Sequence, residues 1–206
     1  ETLDVSSPNR PGPYHIGDDG SIHLTEPRGG LNAFSHVFRL PPDRRIDGLR
    51  VRFFPKAYSG KLTPFSDGVP KITTVLVSGG DQPAKQVEYH NQMRLVRATA
   101  SSSTEGHGPE SVLDERNLHW WRPRLEDTEP RLNITFDETI DTAESPYLTL
   151  MLFFGVSESL PFHWRVEAFS GEDTDSRFPR EVADALAENR GDWTPAEREA
   201  VLEVFR

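Results

Sequence analysis

Apolar and polar residues alternate along most of the chain, with the period of two that is typical of half-buried β-strands. Leu49, Val51 and Phe53 alternate with two arginines, so one face of this strand is predicted to lie in a core and the other in solvent. Similar patterns predict further strands over residues 21–25, 33–40, 72–78, 94–100 and 131–136. The chain is therefore predicted to be all-β.

The most apolar stretch is residues 147–155, and an alternating run follows it at 162–169. A polar, turn-like segment separates the two. They are predicted to be core strands that form the last hairpin of an antiparallel β-sandwich. Phe153, Phe154 and Trp164 are accordingly predicted to be core residues.

The spacing of apolar residues changes after the last predicted strand. Residues 178–189 favour a helix, and a second helix is predicted to start at Thr194, which is able to cap it, with Glu197 completing a capping box. The predicted organisation is a β-sandwich domain over residues 1–177, with an irregular N-terminal lead-in, and a two-helix extension or connector over residues 178–206.

Composition narrows the possible functions. The 206 residues include 17 Pro and 15 Gly, as many short strands joined by turns require, and carry a net charge of −10. This charge argues against binding of nucleic acid or anionic membrane through a basic surface. The sequence contains no Cys. This excludes disulfides, thiolate metal sites and covalent haem attachment through C-x-x-C-H.

The chain shows no apolar run long enough to span a membrane and no signal peptide. It begins without Met, so it is expected to be a fragment of a longer protein. Any targeting signal is then expected to lie outside it.

Aromatic residues supply the best candidates for ligand binding. Trp120 and Trp121 are neighbours, so on an extended segment one indole is predicted to enter the core and the other to face out, where it suits stacking on a sugar ring. The alternative is that both are packed. Tyr58, in a predicted loop over residues 55–70, and Tyr89 are further candidates, while His107, between two glycines, is predicted to be solvated.

Carboxylates and histidines give weaker signals. Glu126, Asp127 and Glu129, or the acidic positions at 172–175, are able to supply oxygen ligands to Ca²⁺, but no EF-hand spacing is present and ordinary surface acidity is the preferred explanation. The seven His have no helical metal-binding spacing. No nucleophile or phosphate-binding motif is found, so no catalytic residue is predicted and an enzyme has nothing specific in its favour.

A series of short motifs in a fixed order carries a resemblance to a known family. The first motif is Asp-Gly-Ser at 19–21, and the predicted strands at 46–51 and 72–77 follow it. Next come residues 98–101, then residues 112–114 with a Trp after them. The last motif is the predicted helical tail. In this order the chain resembles the β-rich central domain of large planctomycetal multidomain proteins that also carry cytochrome-c-type domains and domains of unknown function. Residues 60–68 depart from the sequence pattern of this family.

The resemblance implies an exported protein, periplasmic or extracellular, with a jelly-roll or galactose-binding-like sandwich and a role in carbohydrate binding or degradation. It also places Trp121 at the usual Trp of the family, in the core, and Trp120 where a small residue is expected. Trp120 is therefore the better ligand candidate.

The leading hypothesis is a noncatalytic, carbohydrate-binding-module-like domain of a larger exported protein, in which Trp120, Tyr58 and Tyr89 contact a polysaccharide. It needs no cofactor. The alternative is a structural or interdomain module without its own ligand, whose partners are the neighbouring domains of the same chain. A third hypothesis is that the chain is a hydrolase. The longer parent protein is expected to be either an enzyme or a redox protein.

Overall fold

The computed structural model describes residues 4–5, 14–24, 30–55, 57–58, 61–62, 70–88, 90–113, 119–157 and 162–171. Within these ranges every paired strand is antiparallel, and the single helical element is a 3₁₀ turn, η1, at Pro109–Leu113. The strands are β1 (Asp4–Val5), β2 (Tyr14–Ile16), β3 (Ile22–Leu24), β4 (Gly30–Arg39), β5 (Arg45–Pro55), β6 (Ala57–Tyr58), β7 (Lys61–Leu62), β8 (Ile72–Gly80), β9 (Leu95–Ala100), β10 (Arg131–Asp141), β11 (Tyr147–Ser157) and β12 (Phe162–Phe169).

The long strands form two sheets. One has the order β1-β4-β11-β8 and the other the order β2-β3-β12-β5-β10-β9. The chain passes from one sheet to the other between β4 and β5, between β10 and β11, and between β11 and β12, so strands that are consecutive in sequence lie in different sheets. The predicted all-β, antiparallel sandwich is confirmed.

The predicted hairpin of the last two long strands is wrong. β11 pairs with β4 and β8, whereas β12 pairs with β3 and β5, so the two strands lie in different sheets. Phe154 and Trp164 meet across the core, with ring centroids 5.5 Å apart, and both are fully buried as predicted. Phe153 points to the other face of β11 and is only half-buried.

Alternation on β5 explains how one strand serves both a core and a surface. Leu49, Val51 and Phe53 are fully buried, while Arg50 and Arg52 are half-buried on the opposite face. Neighbouring residues of a strand point to opposite sides, so the arginines lie on the outer face of the six-stranded sheet. The outer face of the six-stranded sheet is therefore a charged surface.

Two segments predicted to be irregular contain short strands. The predicted loop over residues 55–70 includes the paired strands β6 and β7, and the N-terminal lead-in includes β1 and β2. The chain divides into two compact units, residues 1–171 and 172–206, and the predicted helices after residue 178 lie outside the described residues. Of the helices in the described ranges, none has the length and apolar character needed to cross a membrane.

Candidate functional site

The two adjacent tryptophans have different environments. Trp121 forms an isolated bridge with Ile72 and is fully buried, as predicted. Its indole packs 5.8 Å from the ring of Phe53, and its Nε1–H donates a 3.1 Å hydrogen bond to the carbonyl of Ser102. Trp121 therefore fastens the loop after β9 to the core.

Trp120 points the other way and is half-buried. Its indole stacks on His107, with centroids 4.7 Å apart and planes 16° apart. Hydrogen bonds hold the backbone of His107, because its N–H donates to the carbonyl of Thr104 (2.9 Å) and its carbonyl accepts from the N–H of Arg122 (3.2 Å). The prediction that His107 is solvated is wrong, since the ring is half-buried against Trp120.

Three polar nitrogens of this region lack hydrogen-bond partners among the described residues. They are Nε1 of Trp120, Nδ1 of His107 and Nε of Arg122, and all three atoms are buried. A buried polar group without a partner costs about 1–3 kcal/mol, so such groups in a native protein are usually satisfied by water or by a ligand. We refer to Trp120, His107 and Arg122 as the Trp120 cluster.

Hydrogen bonds join the two loops that carry the cluster. Asp127 accepts bonds of 2.6 Å from the hydroxyls of both Ser101 and Ser102. Thr104 donates its hydroxyl to the carbonyl of Pro123 at 3.0 Å. The cluster therefore rests on a fixed backbone, as a preformed ligand site requires.

Two of the three candidate Ca²⁺ ligands in the described ranges, Asp127 and Glu129, have other partners. Asp127 binds the two serine hydroxyls, and Glu129 lies 2.7 Å from Arg52. No group of three His, Cys, Asp or Glu residues in the described part of the chain is arranged to hold a metal ion. The structure thus brings no Ca²⁺ site together from these residues.

The two candidate tyrosines are not brought to the cluster by any described contact. Tyr58 lies on β6, where it pairs with Lys61 of β7. Tyr89 lies outside the described residues. Their assignment as ligand contacts stays a prediction.

The outer face of the six-stranded sheet carries a row of stacked rings that the sequence did not reveal. Cross-strand pairing places its members side by side on β2, β3, β12 and β5; they are His15, His23, His163 and Phe54. Successive centroids are 4.7, 4.2 and 5.1 Å apart, with planes 11–21° apart. The spacing follows the distance between strands, about 4.8 Å, so the rings stack face to face.

A row of arginines lies next to the ring row. Arg165 of β12 is directly opposite Arg52 of β5, and Arg52 is directly opposite Arg131 of β10. In the next row Glu167 is opposite Arg50. We call the row formed by Arg165, Arg52 and Arg131 the arginine row.

Glu167 is the centre of an ion-pair network on this face. Its Oε1 lies 3.1 Å from Arg165 and 3.3 Å from Arg52, and its Oε2 lies 3.8 Å from Arg50. The Phe54 ring lies 5.5 Å from the guanidinium of Arg165 and 5.9 Å from that of Arg52, within the range of cation–π contacts. The rings therefore orient the arginines.

Asp19 completes the network from the turn between β2 and β3. Its Oδ1 accepts hydrogen bonds from the hydroxyl (2.5 Å) and the N–H (3.0 Å) of Ser21, and its Oδ2 lies 3.8 Å from Arg165. The hydrogen bonds from Ser21, and then the charge of Arg165, lower the pKa of Asp19 below its usual value of 3.8. The Ser21 hydroxyl is also 2.7 Å from Nε2 of His23, which links the turn to the ring row.

Comparisons with known proteins found no match to this chain among protein families, curated proteins or solved structures. The resemblance to planctomycetal multidomain proteins stays a prediction.

Proposed function

We propose that the β-sandwich is a noncatalytic, carbohydrate-binding-module-like domain of a larger exported protein of the planctomycetal type, and that it binds a polysaccharide at the Trp120 cluster. The observation that supports this most directly is the half-buried Trp120, stacked on His107 beside three nitrogens that have no hydrogen-bond partner in the described part of the chain.

Sugar recognition requires an aromatic face together with a few polar groups placed beside it. His107 covers one face of the Trp120 indole, and no other described ring stacks on the opposite face. A pyranose ring on that face would lie beside the edge of the indole that carries the N–H. The cluster therefore combines the two chemical elements of a sugar site.

The proposal is tested by binding. The folded chain is screened against soluble polysaccharides by affinity electrophoresis, and the affinity for any that bind is measured by calorimetry for the parent and for Trp120→Ala. Loss of a central aromatic contact is expected to lower the affinity about tenfold or more. Leu125→Ala, which truncates an exposed apolar residue of the same loop, is the matched control and is expected to bind as the parent does.

A folded Trp120→Ala variant with the parent's affinity would remove the Trp120 cluster from the proposal. Complete absence of binding in the screen would instead support the alternative, a structural or interdomain module whose partners are neighbouring domains of the same chain. The division of the chain into two compact units, at residues 171 and 172, is the observation that favours this alternative.

A further inference from the structure

We propose that the outer face of the six-stranded sheet is a second binding surface, which takes a carboxylate-bearing polysaccharide, a polyuronate, on the arginine row. The site is formed by other strands and other residues than the Trp120 cluster. The proposal for the arginine row does not depend on ligand binding at the Trp120 cluster.

The arginine row is costly for a sheet that needs only to be soluble. Like charges placed directly opposite each other on neighbouring strands destabilise a sheet, and here Arg165, Arg52 and Arg131 occupy three successive strands in one row. Glu167 and Glu129 offset part of this repulsion at Arg52. An anionic ligand lying across the row would offset more of it.

Part of each arginine side chain reaches solvent. The Arg52 and Arg165 side chains are 25% and 21% exposed, whereas their Nε atoms are buried and have no hydrogen-bond partner among the described residues. Arginine pairs with carboxylates through two parallel N–H···O bonds, and the Phe54 ring beside both side chains holds their planar groups in fixed orientations. The surface is therefore preorganised for planar anions.

Glu167 shows that the spacing of these side chains suits a carboxylate. Three guanidiniums from two strands meet its two oxygens at 3.1, 3.3 and 3.8 Å. A ligand carboxylate would find the same donors from the solvent side. Thr99 continues this face with a neutral hydroxyl able to bind a sugar hydroxyl, next to the buried Asn133, whose side-chain oxygen accepts a 2.9 Å bond from Arg50.

The overall charge decides between kinds of polyanion. Nucleic acid carries densely spaced phosphates and is attracted by a large positive field, but this chain has a net charge of −10. A local row of arginines on an acidic protein suits a ligand that presents planar carboxylates on hydroxyl-bearing rings. A polyuronate has this chemistry.

The test uses the full chain at low ionic strength, where charge pairing is least screened. Polygalacturonate is expected to bind, with an affinity that falls as salt is added, and its fully methyl-esterified form is expected not to bind. Equal binding of the ester would overturn the proposal, as would the absence of polygalacturonate binding. If heparin binds more tightly than polygalacturonate, the ligand group is a sulfate and not a carboxylate. If polyglutamate binds as tightly as polygalacturonate, the surface does not require a sugar polymer.

Variants locate the site. Arg165→Gln is expected to lower the affinity for polygalacturonate about tenfold, since a hydrogen bond to a charged group is lost. Glu167→Gln is expected to raise it, because the competing carboxylate is removed; a merely structural role for the network would make both changes weaken binding. Arg94→Gln is the matched control, since Arg94 is 80% exposed and pairs with Asp137 away from this row.

Thermal unfolding is recorded for each variant. Arg165→Lys, which keeps the charge but loses the planar fork, is expected to bind with intermediate affinity if Arg165→Gln does not fold. Trp120→Ala is expected to leave polygalacturonate binding unchanged. If Trp120→Ala abolishes that binding, or if Arg165→Gln and Arg165→Lys both bind as the parent does, the arginine row is not the site.

Discussion

The phenol ring of Tyr14 meets the imidazole of His36 edge-on, with centroids 5.0 Å apart and planes at 78°. His36 points into the core of the sandwich, where it also contacts Trp164, and only 1% of it is exposed. Neither ring nitrogen has a hydrogen-bond partner within the ranges that the structure describes. Burial lowers the pKa of His36 from 6.5 to about 3, so the ring is neutral in the folded protein at ordinary pH.

This neutral histidine is expected to make the fold acid-sensitive. Below pH 6.5 the unfolded chain binds a proton at His36 that the folded chain does not bind until pH falls to about 3. The free energy of unfolding is therefore expected to decrease by about 1.4 kcal/mol per pH unit between these values because of this residue alone. Urea unfolding of the parent and of His36→Leu at several pH values measures this contribution.

The difference between His36→Leu and the parent should grow as the pH is lowered. His90→Gln serves as the control for replacement of a histidine outside the core, because the His90 side chain is 76% exposed. Parallel stability curves for His36→Leu and the parent would contradict the explanation.

The adjacent tryptophans are expected to respond differently to the same substitution. Trp121→Phe removes a buried indole and the bond from Nε1 to the Ser102 carbonyl, so it is expected to destabilise the fold by about 1–3 kcal/mol more than Trp120→Phe. Denaturant unfolding compares them. Equal losses would mean that Trp121 does not fasten the loop after β9.

Gly48 is expected to be intolerant of even a methyl group. A Cβ at this position would collide with the tip of the Phe169 ring and with the carbonyl oxygen of Ile134. Gly48→Ala is therefore expected to cost about 1–3 kcal/mol in thermal or urea unfolding. Gly79→Ala is the matched strand control, because its Cβ would have its nearest contact at 3.6 Å, and a comparable loss there would attribute the effect to the strand backbone instead.

Asp19 offers a test of the turn between β2 and β3. Its pKa is expected to lie below 3.8 in the folded protein, and Ser21→Ala, which removes the hydroxyl donor, should move the pKa towards that value. Since the folded-state pKa is the lower one, the stabilisation is present above pH 3.8 and is lost as pH falls below it. Carboxyl NMR titration of both proteins follows the shift, and an unchanged titration would exclude the hydroxyl as its main cause.

The alternation of β5 shows what the sequence was able to predict. Leu49, Val51 and Phe53 are apolar because they face a core, and this local preference does not depend on which strands lie beside β5. The sandwich follows from such preferences, whereas alternation alone left open which of Trp120 and Trp121 is buried. The failed hairpin of β11 and β12 marks the limit, because a strongly apolar strand suits the middle of either sheet.

The candidate surfaces depend on register, which single residues do not encode. Arg52, Arg131 and Arg165 each look like ordinary solvent-facing strand residues, and only the pairing of β12, β5 and β10 puts them in one row. In the same way, Trp120 is visible in the sequence, whereas its stacking partner His107 comes from another loop. Long-range pairing therefore had to be known before either surface was recognisable.

The pairing of β4 with β11 also has a consequence for biosynthesis. β4 and β8 flank β11, so neither can complete its sheet until residues 147–157 have left the ribosome, and β5 waits in the same way for β10 and β12. Such distant contacts form slowly, and incomplete chains expose apolar strands. A nascent chain that ends before Tyr147 is therefore expected to need chaperones rather than to fold stepwise.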